Sequence, residues 1–260
     1  MAAAGRLAVG CAVAWRKSVA PRNGFRSRLN AGVFRQQQQR GFQVITAARR
    51  LFTELKKIRE EADAGPVEFD SNLSIVLYPD PKLRARNIRI NSFDDNLKKL
   101  VDEMLDVMYR TDGVGLSAPQ VGVNARLMVF NPEGERGKGK EYVFVNPMIV
   151  KFGKEREADR EGCLSFYSAQ ADVERPISIR VEAQDINGKK FGTTFRGWTA
   201  RIFQHEYDHL EGVLYIDRMT PKALNSIGKE LLNLEEEFEN RTGTPRPESV
   251  KDKLLSSVAS

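Results

Sequence analysis

The sequence predicts a single α+β domain, and three observations support that class. Short segments with strand character recur between residues 126 and 196, whereas few segments have the period of a helix. Apolar and polar residues alternate on both sides of Asn187-Gly188, which is typical of a β-hairpin. Between Phe93 and Met108, apolar residues recur every three or four positions and form one helix face. The length of 260 residues accommodates one domain with terminal extensions.

Local signals predict the remaining elements. Residues 73–84 predict a strand that ends in a proline-rich turn, and Ser92 with Asp95 is expected to cap the helix that ends near Tyr109. Residues 111–122 are rich in glycine and predict an irregular loop. The later elements are strands at 126–131 and 141–147, a helix from Trp198 to Glu211 that Gly212 closes, and a charged helix at about 222–239.

The first fifty residues differ in composition from the rest of the chain. They contain nine arginines and Lys17 but no acidic residue, and the first acid is Glu54. Such a composition is typical of an organelle transit peptide, with a disordered basic arm as the alternative. We therefore expect a disordered transit peptide and linker at 1–60, the folded domain at 61–221, a C-terminal helix at 222–240 and a disordered tail at 241–260.

Without this leader the net charge changes sign. The whole chain carries +6, and subtracting the ten basic residues of the leader leaves −4 for residues 51–260. A nucleic-acid-binding surface needs a basic stripe on the folded part, so we expect no direct contact with nucleic acid. No run of 18 or more apolar residues occurs, so no membrane-spanning helix is expected. The absence of a heptad repeat favours a monomer.

Both histidines of the chain lie in the sequence FQHEYDHLEG. His205 and His209 are four residues apart, so a helix directs both imidazoles to one side, where they can bind one ion. Glu206 can accept a proton from water on that ion, as in HExxH metal hydrolases. The alternative is a pair of exposed polar residues. Asp208 is expected either to orient a ligand histidine or to be a solvated surface acid.

The ion needs a third protein ligand, and the sequence contains no further histidine. One candidate is a carboxylate among residues 235–237, which matches the arrangement of some zinc proteases. The other is Cys163, the only cysteine outside the leader, because a thiolate with two imidazoles suits Zn²⁺ or Fe²⁺. A lone cysteine is more often a buried structural residue, so the residue types alone leave both candidates open.

Three segments together resemble the motifs of the peptide deformylase family. They are GVGLSAPQVG at 113–122, EGCLS at 161–165 and QHEYDHLEG at 204–212, in the order and at the separations of that family. The longer segment at 93–124 is similar to the plant organellar form called type 1B. The resemblance covers about residues 73–221, which is nearly all of the folded domain, and the three motifs are jointly very specific.

The resemblance implies antiparallel or mixed strands around a central HExxH helix, with the ion held by Cys163, His205 and His209. In this family the ion is natively Fe²⁺, and Zn²⁺, Ni²⁺ or Co²⁺ can replace it. The implied reaction removes the formyl group from the N-terminal formyl-methionine of nascent proteins and releases formate. Organelles begin translation with formyl-methionine, which agrees with a leader for the plastid stroma or the mitochondrial matrix.

The resemblance also implies roles for the other motif residues. Glu206 would take a proton from water and return it to the departing amine. The Gln120 side chain and the Leu164 backbone N–H would donate to the oxyanion. The residues expected to pair with the substrate backbone are Val114, Gly115 and Gly162.

One segment departs from the family pattern. Phe166-Tyr167-Ser168-Ala169-Gln170 lacks the proline expected after EGCLS, which brings the shape of the substrate groove into question. Two rival functions follow from the residues. The first is an HExxH metalloprotease with a downstream glutamate ligand, and the second is a deformylase-like protein that docks on the organellar ribosome without turnover.

Overall fold

The computed structural model describes residues 66–167, 169–251 and 254. The predicted transit peptide and linker at 1–60 and the end of the predicted tail lie outside the described residues. Within the described part, no helix combines the length and the apolar composition needed to cross a membrane. The fold is α+β, as the sequence predicts.

All strand pairs in the described part are antiparallel, and they form two sheets. A five-stranded sheet has the order β1-β2-β3-β6-β7, and β4 pairs with β5 in a separate two-stranded sheet. The strands are β1 Gly115–Ser117, β2 Leu127–Phe130, β3 Tyr142–Phe152, β4 Arg156–Gly162, β5 Gln170–Pro176, β6 Ser178–Gln184 and β7 Lys190–Arg196.

The predicted hairpin is present as β6 and β7. Along β6, buried Ile179 and Val181 alternate with exposed Arg180 and Glu182, which is the pattern of a strand with one face in the core. Gly188 has a φ of +81°, which glycine adopts without steric cost in the turn. Local turn chemistry and alternation therefore suffice to specify this element.

Helix α1 spans Asp95–Arg110 and packs its apolar face into the core beside β1 and β2. Its N-cap is Asp94, whose side chain accepts from the Leu97 N–H at 2.9 Å. The cap therefore lies two residues after the predicted Ser92, whose hydroxyl donates to Asp94 instead. A cap of this kind contributes about 1 kcal/mol to helix stability.

Helix α2, Gly197–Leu210, is the predicted histidine helix, and it packs on the five-stranded sheet. Phe203 lies edge-on to Phe144 of β3, with ring centroids 5.1 Å apart, and belongs to a buried aromatic cluster with Phe130 and Phe195. Burial of this face fixes the rotation of the helix about its axis. The opposite face, with both histidines, turns away from the sheet.

Of the strand and the proline-rich turn predicted at 73–84, the strand is wrong and the turn is present. The chain is extended at 73–77 without joining a sheet, and a 3₁₀ turn follows at Pro81–Arg84. The backbone N–H of Val76 donates to Gln120 O at 2.7 Å, and that of Tyr78 donates to Ser165 O at 2.9 Å. Backbone hydrogen bonds therefore connect this segment to the two 3₁₀ turns that contain Gln120 and Ser165.

The C-terminal region also differs from expectation. The single helix predicted at 222–240 is two helices, α3 Pro221–Ser226 and α4 Gly228–Thr242, which are separated at Ile227. The tail predicted as disordered from 241 is held against α4 over its described part, and Val250 is fully buried. Specific contacts between Glu235 and the tail explain this order, and its polar composition gave no sign of them.

Candidate metal centre

Cys163, His205 and His209 converge on one point. Their potential ligand atoms all lie within 4.8 Å of one another, and Cys163 Sγ is 3.3 Å from His209 Nε2. The two histidines occupy successive turns of α2, whereas Cys163 directly follows β4 and precedes the 3₁₀ turn Leu164–Phe166. One thiolate and two imidazoles form a donor set that suits Fe²⁺ or Zn²⁺. These residues therefore fit a metal ion.

A buried carboxylate that the sequence reading missed orients the first histidine. Glu161 Oε2 accepts from His205 Nδ1 at 3.0 Å, which leaves Nε2 of that ring for the ion. Arg175 and Arg201 also donate to the Glu161 carboxylate, at 2.6–2.9 Å. The sequence carried one signal for Glu161, because it lies two residues before Cys163 within the EGCLS motif.

Asp208 is not a solvated surface acid, and it acts on a ligand histidine only through other residues. It is 6% exposed, so it is not a solvated surface acid, and its carboxylate accepts from Arg175 at 2.8 Å and from Arg218 at 2.7 Å. Because Arg175 also holds Glu161, Asp208 supports the His205 orientation through two intermediate residues. Removing either acid would leave the buried Arg175 guanidinium with one carboxylate partner instead of two, which is destabilising.

The surroundings favour an ionised Glu161 and a neutral His209. The pKa of His205, in contrast, is raised against the opposing effect of burial by hydrogen bonds with Cys163 and Glu161. Burial opposes ionisation of Glu161, but hydrogen bonds from His205 and Arg175 hold the pKa of Glu161 well below its usual range. Burial also lowers the pKa of His209, with the nearby His205 as a second cause. His209 is therefore neutral, which is the form that donates a nitrogen lone pair to a metal.

Glu206 lies beside the ligands and is buried, with 4% of its surface exposed. The Ser117 hydroxyl donates to Glu206 Oε2 at 2.7 Å and fixes one oxygen of the carboxylate. Burial raises the pKa of Glu206, while the charge of His205 and the Ser117 hydrogen bond oppose that rise. A buried carboxylate with a raised pKa suits a group that accepts and returns a proton near neutral pH.

The absence of a side chain at Gly115 leaves room for the Glu206 carboxylate. A Cβ atom at this position would lie 2.6 Å from Glu206 Oε1 and 3.0 Å from Cδ, so any side chain would displace the carboxylate. The sequence reading linked this glycine only to the approach of substrate. The structure adds a second constraint, which is the close packing of β1 against α2.

Gly115→Ala is therefore expected to lower kcat/KM on the order of 10²-fold, because small misplacement of a reacting group has effects of that size. The measurements are kcat/KM from steady-state kinetics and the metal content of the same sample. Gly192→Ala is the matched control, since its Cβ would make ordinary contacts with Val181 O at 3.4 Å and Glu182 Cγ at 3.8 Å. Unchanged kcat/KM in Gly115→Ala would contradict this account of Glu206.

Gln120 is fixed so that its amide NH₂ faces the metal ligands. Its Oε1 accepts from the Ser117 backbone N–H at 2.8 Å, which directs the NH₂ group to the other side. There Nε2 lies 3.5 Å from Cys163 Sγ and 3.4 Å from Ser165 Oγ. The side chain is 1% exposed, so this orientation is held by packing as well.

A cleft of about 370 Å³ opens onto this centre. Eight of the nine residues predicted for the site line it, and His209 is buried behind them. Trp198 and Ile202 of α2 form part of an apolar wall, together with Val114 and Leu164. The lining residues predicted from the sequence are Val114, Gly115, Gln120, Gly162, Cys163, Leu164, His205 and Glu206.

The segment that departs from the family pattern reaches the rim of this cleft. Phe166 points inward and stacks on Tyr78, with ring centroids 4.9 Å apart. Tyr167 is 58% exposed and has a φ of +50°, a conformation that is uncommon for a residue with a side chain. Tyr167 and Gln170 both line the cleft, so the departure alters its edge and leaves the ligands unchanged.

The protease arrangement does not fit this geometry. Within the described part of the chain, Cys163, His205 and His209 are the only group of three such residues with metal-binding spacing. Glu235 is fully buried, but its carboxylate accepts hydrogen bonds from Tyr78, Arg246 and Ser249. The third ligand is therefore the thiolate.

Comparisons with known proteins agree with this site. The family model for polypeptide deformylase matches residues 72–225. The chain is 51% identical over 216 residues to the chloroplastic peptide deformylase 1B of Solanum lycopersicum, which covers 83% of this chain and 77% of the relative. It is 56% identical over 196 residues to the chloroplastic/mitochondrial peptide deformylase 1B of Arabidopsis thaliana, which covers 75% and 72%.

A solved structure of a peptide deformylase is also similar to this chain. The crystal structure of a G41M mutant of Arabidopsis thaliana peptide deformylase 1B superposes with a TM-score of 0.69 at 57% identity, over 69% of this chain and 98% of that one. Sequence, fold and ligand set thus agree. The chain therefore belongs to the polypeptide deformylase family, and Cys163, His205 and His209 form the metal site of a peptide deformylase.

Proposed function

We propose that this chain removes the N-formyl group from the N-terminal formyl-methionine of proteins newly made in an organelle. One observation carries the proposal: a single cleft is lined by the ligands Cys163 and His205, the Glu206 carboxylate and the Gln120 amide, with His209 buried behind it. Formyl hydrolysis needs a proton acceptor beside the ion and a donor near the developing oxyanion. The two side chains supply these groups.

The proposed native ion is Fe²⁺, with Zn²⁺, Ni²⁺ or Co²⁺ as functional replacements. A thiolate with two imidazoles is compatible with each of these ions. A divalent ion bound there supplies Lewis acidity and makes water nucleophilic near neutral pH. The protein ligands number three, which leaves room for water or substrate at the ion.

Glu206 is proposed to act first as base and then as acid. Its Oε2 is held by Ser117, while its Oε1 lies on the side of Gly115 and the cleft. The carboxylate accepts a proton from the attacking water and later delivers it to the departing amine nitrogen. Its buried position favours this exchange, because burial raises the pKa of the carboxylate. A raised pKa brings the free energies of the protonated and ionised forms closer together near neutral pH.

Gln120 and Leu164 are proposed to stabilise the oxyanion that forms at the formyl carbonyl. The Gln120 NH₂ group faces Cys163, and it is held in place before substrate arrives. Leu164 is the first residue of the 3₁₀ turn, so its N–H has no acceptor within that turn. Both donors line the cleft.

Gln120→Ala is expected to lower kcat on the order of 10²–10³-fold with a much smaller effect on KM, because the lost hydrogen bond belongs to the transition state. The measurement is steady-state formate release at constant metal content. Gln184→Ala, on β6 outside the cleft, serves as the control. An unchanged kcat in Gln120→Ala would remove this residue from the proposed mechanism.

The substrate chain is proposed to lie between two strand edges. β1 is the edge strand of the five-stranded sheet, and β4 is one strand of the two-stranded sheet. Gly115 at the start of β1 and Gly162 at the end of β4 both line the cleft, as does Val114. Backbone pairing with these residues would bind an extended peptide largely independently of its side chains.

The proposed cellular setting is the plastid stroma, the mitochondrial matrix or both. Two relatives are described as chloroplastic or as chloroplastic/mitochondrial, and the acid-free first fifty residues have transit-peptide composition. We assign residues 1–60 to this leader and linker and residues 61–221 to the catalytic domain. The enzyme would work as a monomer on nascent chains, near the organellar ribosome.

A substrate panel tests the proposed reaction. The full-length chain, loaded anaerobically with Fe²⁺, is incubated with formyl-Met-Ala, acetyl-Met-Ala and casein. We expect formate and free amine from the formyl peptide only. Cleavage of casein would favour the protease alternative, whereas formate production from none of them would favour the non-catalytic docking alternative.

A further inference from the structure

Glu235 of α4 is a fully buried acid outside the metal site, and its carboxylate accepts hydrogen bonds from the C-terminal tail. Arg246 Nη1 donates to Oε2 at 2.8 Å, and Ser249 Oγ donates to the same oxygen at 2.9 Å. The backbone N–H of Val250 and the Tyr78 hydroxyl donate to Oε1. Four donors thus satisfy this buried charge, three of them from the tail.

Tyr78 connects this carboxylate to the loop that carries Cys163. Its hydroxyl lies 3.1 Å from Glu235 Oε1, and its ring stacks on Phe166 at 4.9 Å. Its backbone N–H donates to Ser165 O at 2.9 Å. Phe166 closes the turn that begins at Cys163, since the Phe166 N–H donates to Cys163 O at 2.9 Å.

A second contact connects the tail to the histidine helix. Glu248 accepts from Arg84 Nε at 2.7 Å and from Nη2 at 2.8 Å. Arg84 also donates to the carbonyl of Gly212, at 3.4 Å. Gly212 lies two residues beyond the end of α2, and its N–H donates to His209 O at 3.1 Å. The tail therefore reaches both elements that supply metal ligands.

We propose that residues 246–250 act as a clasp that holds the Cys163 loop at its ligating distance from α2 and so slows release of the metal ion. Its residues touch neither substrate nor ligand atoms, so they are positioning residues. The Cys163 loop, Cys163 to Phe166, is a single short 3₁₀ turn, and local opening of such a segment sets how often a ligand separates from the ion. The clasp opposes that opening from two sides.

The test uses the full-length chain loaded with Zn²⁺ and mixed with excess chromogenic chelator, which reports the rate of zinc release. The variants are Arg246→Ala, Tyr78→Phe and the double variant. Lys251→Ala, at an exposed residue just beyond the clasp, is the control. Tyr78→Phe removes one hydroxyl and keeps the ring stack, so it remains informative if Arg246→Ala fails to fold. Thermal unfolding of the metal-free forms identifies variants that are folded at room temperature.

Each single variant is expected to speed zinc release on the order of tenfold, as for other partners that orient ligands indirectly. The double variant should release zinc less rapidly than the product of the two effects predicts, because both changes act through Glu235. In the Co²⁺-loaded chain, the thiolate-to-cobalt absorption band of Cys163 should weaken in the same variants. Unchanged zinc release, or an unchanged thiolate band, in folded variants would overturn the proposal even if the melting temperature falls.

Discussion

Cys163→Ala is expected to abolish high-affinity metal binding, because it removes one of three ligands and leaves two imidazoles that cannot hold the ion alone. A ligand present at a thousandfold excess over its Kd stabilises the folded state by about 4 kcal/mol. For a domain of this size that corresponds to about 10 °C in Tm. Added Zn²⁺ should therefore raise the Tm of the parent chain by about this amount and leave Cys163→Ala unchanged.

The matched control for this prediction is the double variant Glu236→Ala/Glu237→Ala. These exposed carboxylates on α4 belong to the group that the protease alternative requires. The control should bind Zn²⁺ as the parent does. Metal retention by Cys163→Ala, combined with loss from the control, would contradict the assignment of the thiolate as third ligand.

Glu206→Gln is expected to lower formate release on the order of 10²–10⁴-fold while the metal content stays unchanged. The amide keeps the shape of the side chain and can still accept from the Ser117 hydroxyl, but it cannot take a proton. Metal analysis and steady-state kinetics on the same sample measure the two properties separately.

Glu211→Gln is the matched control for Glu206→Gln, because Glu211 lies just beyond the same helix and pairs with Arg126 away from the cleft. Its kcat should match that of the parent chain. Full activity in Glu206→Gln would exclude this carboxylate as the proton acceptor. Loss of the ion in that variant would show that Glu206 contributes to ligation.

The metal ligands could be predicted because each motif carries its own chemistry. The spacing of His205 and His209 has meaning only on a helix, and the apolar pattern around it indicates one. Cys163 was harder, since a lone cysteine has several roles, and the family resemblance favoured ligation over the alternatives. Glu161 was missed although it lies in the same motif. Its contact with His205 depends on how β4 packs against α2, which no local pattern reveals.

Elements of the fold that depend on nearby residues could also be predicted, whereas segments that depend on distant contacts could not. The β6–β7 hairpin and helix α1 follow from alternation, periodicity and turn residues within a few positions. The extended segment at 73–77 and the C-terminal tail depend on partners far along the chain. Glu235 stands in a run of three glutamates and Arg246 stands between two prolines, so both have the composition of a solvated surface. Only the folded chain brings them together.

The most direct test of the account is formate release from formyl-Met-Ala by the Fe²⁺-loaded chain, compared with Glu206→Ala at equal iron content. We predict repeated turnover by the parent chain and loss of nearly all formate release in the variant, which should keep its iron. Two results would contradict the proposed reaction. The first is a parent chain that binds iron at Cys163, His205 and His209 but releases no formate, and the second is turnover that persists in Glu206→Ala.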